Sequence, residues 1–190
     1  MTGHRPAVPI ADATHAAVLV PVPAAELVVG VHRSRLDRAA GWGIPAHVTL
    51  LYPFRHPSRI DESVLRSVAR AVAAQPVFTC RFARTAWFGD EVLWLAPDPN
   101  EPFRRLTQRL VEEFPDCLPY GGAHAEVMPH LTVADASVGH SRLRQQARFA
   151  QAAVTSRLPL DVVVDRVVVM VGRHAARSWR TLATVRLRQT

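Results

Sequence analysis

The sequence predicts a mixed α/β (α+β) chain built from two similar halves that meet at a central cleft. Three observations predict it. Short apolar, β-branched runs alternate with helical periodicities along the chain. The order strand, helix, strand, helix, strand occurs twice. The middle strand of each half carries one pattern, Ala46-His47-Val48-Thr49-Leu50-Leu51-Tyr52-Pro53-Phe54 in the first and Pro129-His130-Leu131-Thr132-Val133-Ala134 in the second.

Residues 1–13 are rich in Pro and Ala without periodicity and are expected to form a flexible tail, leaving 14–190 as a single bilobal domain. His15 to Val22 reads as the first strand. Pro23 suits the first turn of a helix, and Leu27, Val28, Val31 and Leu36 mark an apolar face through about Arg38. Gly41-Trp42-Gly43-Ile44-Pro45 is expected to break that helix and lead into the strand of His47. Asp61 caps a helix with Val64, Leu65, Val68 and Val72 as its stripe. Val77–Phe88 and Glu91–Ala96 are strands joined at Gly89-Asp90, a candidate hairpin. Asn100 is a candidate cap for a helix with Phe103, Leu106, Leu110, Val111 and Phe114 on its inner face. The loop from Pro119 to Met128, with Gly121 and Gly122, delivers the strand of His130. Ser141 is the expected cap of a helix over Leu143, Ala147, Ala150 and Val154. Leu158–Gly172 reads as one long strand or two, and Ser178–Leu187 as the last. The repeats are expected near 15–88 and 91–188. The intervals agree: His47 precedes a helix at Asp61 and a strand at Val77, and His130 precedes a helix at Ser141 and a strand at Leu158.

In a strand, side chains at i and i+2 share a face. His47 and Thr49 therefore point one way while Val48 and Leu50 point the other, and His130 and Thr132 repeat the arrangement. Two halves related by a pseudo-two-fold bring both pairs to one cleft. An imidazole can accept or donate a proton near neutral pH, and a Thr hydroxyl can donate to a phosphate oxygen.

The rest of the composition narrows the chemistry. The net charge of +7 suits a polyanion such as RNA, although the arginines are scattered, with loose groups at Arg33/Arg35/Arg38 and Arg142/Arg144/Arg148. All 23 basic residues are Arg, which codon bias explains equally well. With no Lys, a lysine nucleophile or lysyl-adenylate is excluded. Cys80 and Cys117 lack CxxC spacing and read as buried thiols. No HxxxH or HxH pattern suggests a zinc site, and Gly-rich nucleotide loops are absent. No run approaches the ~20 apolar residues that span a bilayer, and the first residues lack an apolar h-region, so a cytoplasmic location is expected. His56 and His124 lie near the motifs in loops. His4, His15, His32, His140 and His174 read as solvated, while Tyr52, Phe54, Trp87 and Trp94 read as core before base-stacking. Arg173, after a long strand, is a candidate to reach a phosphate.

The tripeptides His47-Val48-Thr49 and His130-Leu131-Thr132, with the VLVPVP and EVLWL strands, resemble the 2H phosphoesterase superfamily, in particular its 2′-5′ RNA ligase family proteins. The resemblance covers about residues 15–188. It implies two antiparallel sheets around a central cleft with helices outside, and metal-independent hydrolysis of 2′,3′-cyclic phosphate ends of RNA or nucleotides, or reversible formation of 2′-5′ phosphodiester bonds. It implies His47 as proton donor, His130 as proton acceptor, Thr49 and Thr132 as phosphate ligands, no cofactor and a monomer. Two other readings are a phosphodiesterase acting on a small cyclic nucleotide or ADP-ribose cyclic phosphate, and a non-catalytic module that binds RNA ends or nucleotides.

Overall fold

The computed structural model describes residues 12–123, 127–137 and 141–189. The strands are β1 (His15–Pro21), β2 (His47–Leu51), β3 (Phe78–Phe88), β4 (Val92–Asp98), β5 (Leu131–Asp135), β6 (Leu160–Val164), β7 (Arg166–Gly172) and β8 (Arg180–Arg186). The α-helices are α1 (Glu26–Leu36), α2 (Arg38–Trp42), α3 (Glu62–Ala73), α4 (Glu101–Glu113) and α5 (Ser141–Thr155). The strands form two four-stranded sheets, β2-β1-β7-β8 and β5-β4-β3-β6, with every neighbouring pair antiparallel. Each strand that carries a His-x-Thr motif is thus the edge of its sheet, and β2 and β5 lie against one another.

The two halves brace each other. Helix α1, which follows β1, packs on β5 of the opposite sheet, and α4, which follows β4, packs on β2. One apolar core runs through both, from Val18, Val20, Val48 and Leu50 to Leu93, Leu95, Leu131 and Val133. Arg38, at the start of α2, ties across to Asp135 at the end of β5 at 3.3 Å.

The sheets do not coincide with repeats at 15–88 and 91–188. Strand β3 belongs to the second sheet, between β4 and β6, while β7 and β8 return to the first. The short turn through Gly89, at φ +56, sets β3 antiparallel beside β4 and so into the sheet of β4. The run Leu158–Gly172 is two strands, and they enter different sheets.

Several local expectations are corrected. On α1 the buried residues are Val29 and Arg33, whereas Leu27 and Val31 are 82% and 65% exposed. Gly41 and Trp42 lie within α2, which ends at Gly43 with φ +98. Asp61 caps α3 by accepting from Val64 N at 3.0 Å, but Asn100 makes no side-chain cap bond and Ser141 is already helical. Of the expected tail, residues 1–11 lie outside the described residues, and Ala13 is buried. Cys80 and Cys117 are buried and unpaired, and burial pushes the Cys80 thiol up to about 11. Among the described residues no helix is long and apolar enough to cross a membrane.

Candidate active site

Alternation places the motif side chains. In β2, Val48 and Leu50 are buried in the core while His47 and Thr49 are half-buried on the other face. In β5, Leu131 and Val133 are buried and Thr132 is half-buried, with His130 the residue just before the strand. The meeting of these two edges brings the motifs together, so that a proton on His130 opposes one on His47.

The two histidines are held alike. His47 Nδ1 lies 2.7 Å from the carbonyl oxygen of Pro45, and His130 Nδ1 lies 2.7 Å from that of Met128. A carbonyl only accepts, so each Nδ1 carries the hydrogen. In the neutral ring this leaves a lone pair on Nε2, the nitrogen farther from the backbone.

Tyr120, in a stretch that reads from sequence only as a loop, joins the two motifs. Its hydroxyl shares a hydrogen bond with the side chain of Thr49, and its ring stacks on His130 with centroids 6.5 Å apart. Its backbone is left-handed, at φ 53, costly for a residue with a side chain. The Tyr120 N–H donates to Tyr52 O, which anchors the turn to the end of β2. The paired glycines that follow Tyr120 are the one sequence signal of such a turn. His130 is further enclosed by Phe88 and Trp94, edge-on at 4.9 and 5.9 Å. Trp94, read as core, is buried but also walls the site.

Burial lowers the affinity of both imidazoles for a proton. His47 is lowered to about 3 by burial and then by the nearby Arg33 guanidinium; the hydrogen bond to Pro45 only partly offsets this. His130 is lowered by burial, partly offset by its bond to Met128. Both residues are half-buried.

Arg33 is 1% exposed and holds the chain that leads into His47. Its Nε and Nη2 donate to Asp37 Oδ2 at 3.1 and 2.8 Å, Nη1 to Glu26 Oε1 at 3.2 Å, and Nη2 to Ile44 O at 3.3 Å. Glu26 Oε1 in turn accepts from Ala46 N at 2.5 Å. The ion triad therefore clamps the backbone on both sides of Pro45, whose carbonyl holds the His47 ring.

Other candidates lie elsewhere. His15 and His174, expected to be solvated, stack at 4.1 Å, with Trp42 on the far side of His174 at 4.3 Å and the Tyr52 hydroxyl 3.2 Å from His174 Nε2. Phe54 packs edge-on against Phe114, and Trp87 donates to Gln151. Arg173 is exposed, its backbone bonded to Ser178. His32 is half-buried on α1. His4, His124 and His140 lie outside the described residues. Among the described residues no group of three or more His, Cys, Asp or Glu side chains is placed to hold a metal ion.

The family model described as the 2′-5′ RNA ligase superfamily matches residues 20–176, a span that contains both motifs and strands of both sheets. The chain belongs to this superfamily. Its 2H phosphoesterase fold recurs in solved structures of low sequence identity. The protein TT0787 of Thermus thermophilus is 17% identical, with a TM-score of 0.64 over 92% of this chain and 98% of that one. A phosphoesterase structure is 15% identical, with a TM-score of 0.59 over 93% and 99%. Escherichia coli LigT in complex with 3′-AMP is 15% identical, with a TM-score of 0.57 over 93% and 99%. LigT has also been solved with phosphate and with ATP. No curated protein matches the chain.

Proposed function

We propose that this protein is a phosphoesterase that opens 2′,3′-cyclic phosphates at RNA ends or on nucleotides by paired histidine acid–base catalysis. The observation that carries this reading is the matched pair of imidazoles on the adjoining edges β2 and β5. Each is tied through Nδ1 to its own backbone two residues earlier. Nε2 of each ring is left for the substrate.

Water attacks phosphorus and its proton passes to one Nε2. The new P–O bond forms as the bond to a ribose oxygen breaks, and the other imidazole, carrying a proton, delivers it to that oxygen. Thr49 and Thr132 donate to the phosphate oxygens, where charge grows in the transition state. The Arg33 charge opposes a proton on His47. This favours His47 as acceptor and His130 as donor, the reverse of the roles that resemblance implies. That LigT, of the same fold, binds 3′-AMP and phosphate agrees with a phosphate-sized anion site in this fold. With a 5′-hydroxyl attacking phosphorus in place of water, the same steps join it to the cyclic phosphate as the ribose oxygen leaves with the proton from the donor imidazole.

The test is release of phosphomonoester from cyclic-phosphate nucleotides and short RNAs, with and without chelator. His47→Ala and His130→Ala should each cost about 10²–10⁴ in rate, and activity should persist in chelator. Unchanged turnover by folded His47→Ala protein overturns the reading.

A further inference from the structure

A cationic concavity lies beside the two motifs. It has a volume of about 550 Å³ and is lined by Pro53, Phe54, Arg55, His56, Arg59 and Asp116, closed at one side by Gly121. It shares a wall with the candidate active site. Pro53 follows Tyr52, Gly121 follows Tyr120, and the Tyr120 N–H to Tyr52 carbonyl hydrogen bond joins the two backbones. Arg55 is six residues beyond Thr49, so the extended chain limits their separation to about 20 Å.

We propose that this pocket holds a backbone phosphate of the RNA leading to the reacting end, so that the preferred substrate is an oligonucleotide rather than a mononucleotide. The inference rests on the phosphoesterase reading for where the reacting end sits. Two arginines, Arg55 and Arg59, act on one carboxylate, Asp116. Arg55 Nη2 is 3.1 Å from Asp116 Oδ1, and its Cζ sits 5.1 Å over the Phe114 ring, which fixes the plane of the guanidinium. Arg59, in the 3-10 turn Pro57–Arg59, forms no ion pair among the described residues. The Asp116 carboxyl is held below its ordinary range by its bond to Arg55, so it remains charged and occupies only part of that guanidinium. A planar donor fork beside an unpaired arginine suits a phosphodiester. A mononucleotide bound through its only phosphate at the histidines has no second phosphate to offer. An oligonucleotide ending in a cyclic phosphate has one at every preceding nucleotide.

The experiment compares a single-stranded RNA tetramer with the mononucleotide. Binding is measured on the 3′-phosphate forms, and kcat/KM on the 2′,3′-cyclic forms. The expected result is at least tenfold preference for the tetramer, by affinity and by KM. Arg59→Gln and Arg55→Gln should cut that preference several-fold and leave the mononucleotide unchanged. The slope of log K against log salt for the tetramer should fall by about 0.7 for each phosphate no longer neutralised. Arg59 is exposed, so its variant tests the pocket even if Arg55→Gln perturbs the fold. Equal treatment of both lengths by the wild-type protein, or weaker binding of both by Arg59→Gln, overturns the pocket. Length-dependent binding that disappears in Arg59→Gln, in a protein that turns over neither cyclic phosphate, keeps the pocket and overturns the phosphoesterase reading.

Discussion

His47 and His130 are set to be neutral in the free cleft, because burial lowers both. An anion placed between them reverses that preference, so binding should take up a proton. With sulfate, which does not titrate near neutrality, affinity should rise as pH falls, and calorimetry in buffers of different ionisation enthalpy should reveal the uptake. Affinity independent of pH from 6 to 8 would remove the histidines from the anion site. The same shift acts on stability. Between the unfolded value near 6.5 and the folded value of about 3, the unfolded chain binds the extra proton, so stability falls as pH drops. From pH 7 to 5, His47 should contribute about 2 kcal/mol of this loss, and His47→Gln should flatten the dependence. Arg33→Met should cost about 3–5 kcal/mol in denaturant unfolding, since it leaves Asp37 buried without its partner. Tyr120→Phe keeps the ring on His130 but removes the hydroxyl at Thr49, and should lower kcat/KM by up to about tenfold. The His-x-Thr residues are legible in the sequence because strand alternation alone sets their direction. Tyr120 and Arg33 are not. A residue delivered by a left-handed turn has no periodicity, and a buried guanidinium reads like any surface charge until the carboxylates around it are seen.

Helix α1 shows how an element can be found and yet turned the wrong way. Of the stripe Leu27, Val28, Val31 and Leu36, Val28 and Leu36 pack partly against the core while Leu27 and Val31 are exposed. Helix α1 is wedged among α2, α5 and β5, and its fully buried residues are Val29 and Arg33. Its orientation is set by the Glu26–Arg33–Asp37 triad and by Arg157, just beyond α5, whose Nη1 donates to Leu27 O at 2.9 Å. Leu27→Ser and Val31→Ser should therefore stay within about 0.5 kcal/mol of the parent, while Val29→Ala should cost about 2 kcal/mol. Chemical denaturation of the three variants decides between the two faces, and a costly Val31→Ser would restore the stripe. Helix α3 is the contrast: Val64, Val68 and Val72 are all buried, as their spacing predicts, because α3 has one solvent face and one core face. Periodicity is a good guide where an element is amphipathic and a poor one where it lies between lobes.

At the scale of the whole molecule, sequence shows that there are two halves but not how they exchange strands. The order of strands along the chain cannot reveal that β3 joins the second sheet and that β7 and β8 come back to the first. With a core continuous through both sheets, the halves should unfold in one transition. A fragment ending at residue 90 keeps β1 and β2 but lacks β7, the other neighbour of β1, and leaves β3 without β4 or β6. It should show no cooperative thermal transition by circular dichroism; a folded fragment would mean that the first half is an autonomous unit. The crossing also bears on how the protein is made. A ribosome delivers β1 and β2 before β7 and β8, so the sheet they share waits for residues 166–186. The second sheet, complete at Val164, can close while the first still has β1 exposed along one side. The half begun first is finished last. Until then His47 has no completed sheet behind it, so nascent chains should gain catalytic competence only once β7 and β8 have left the exit tunnel.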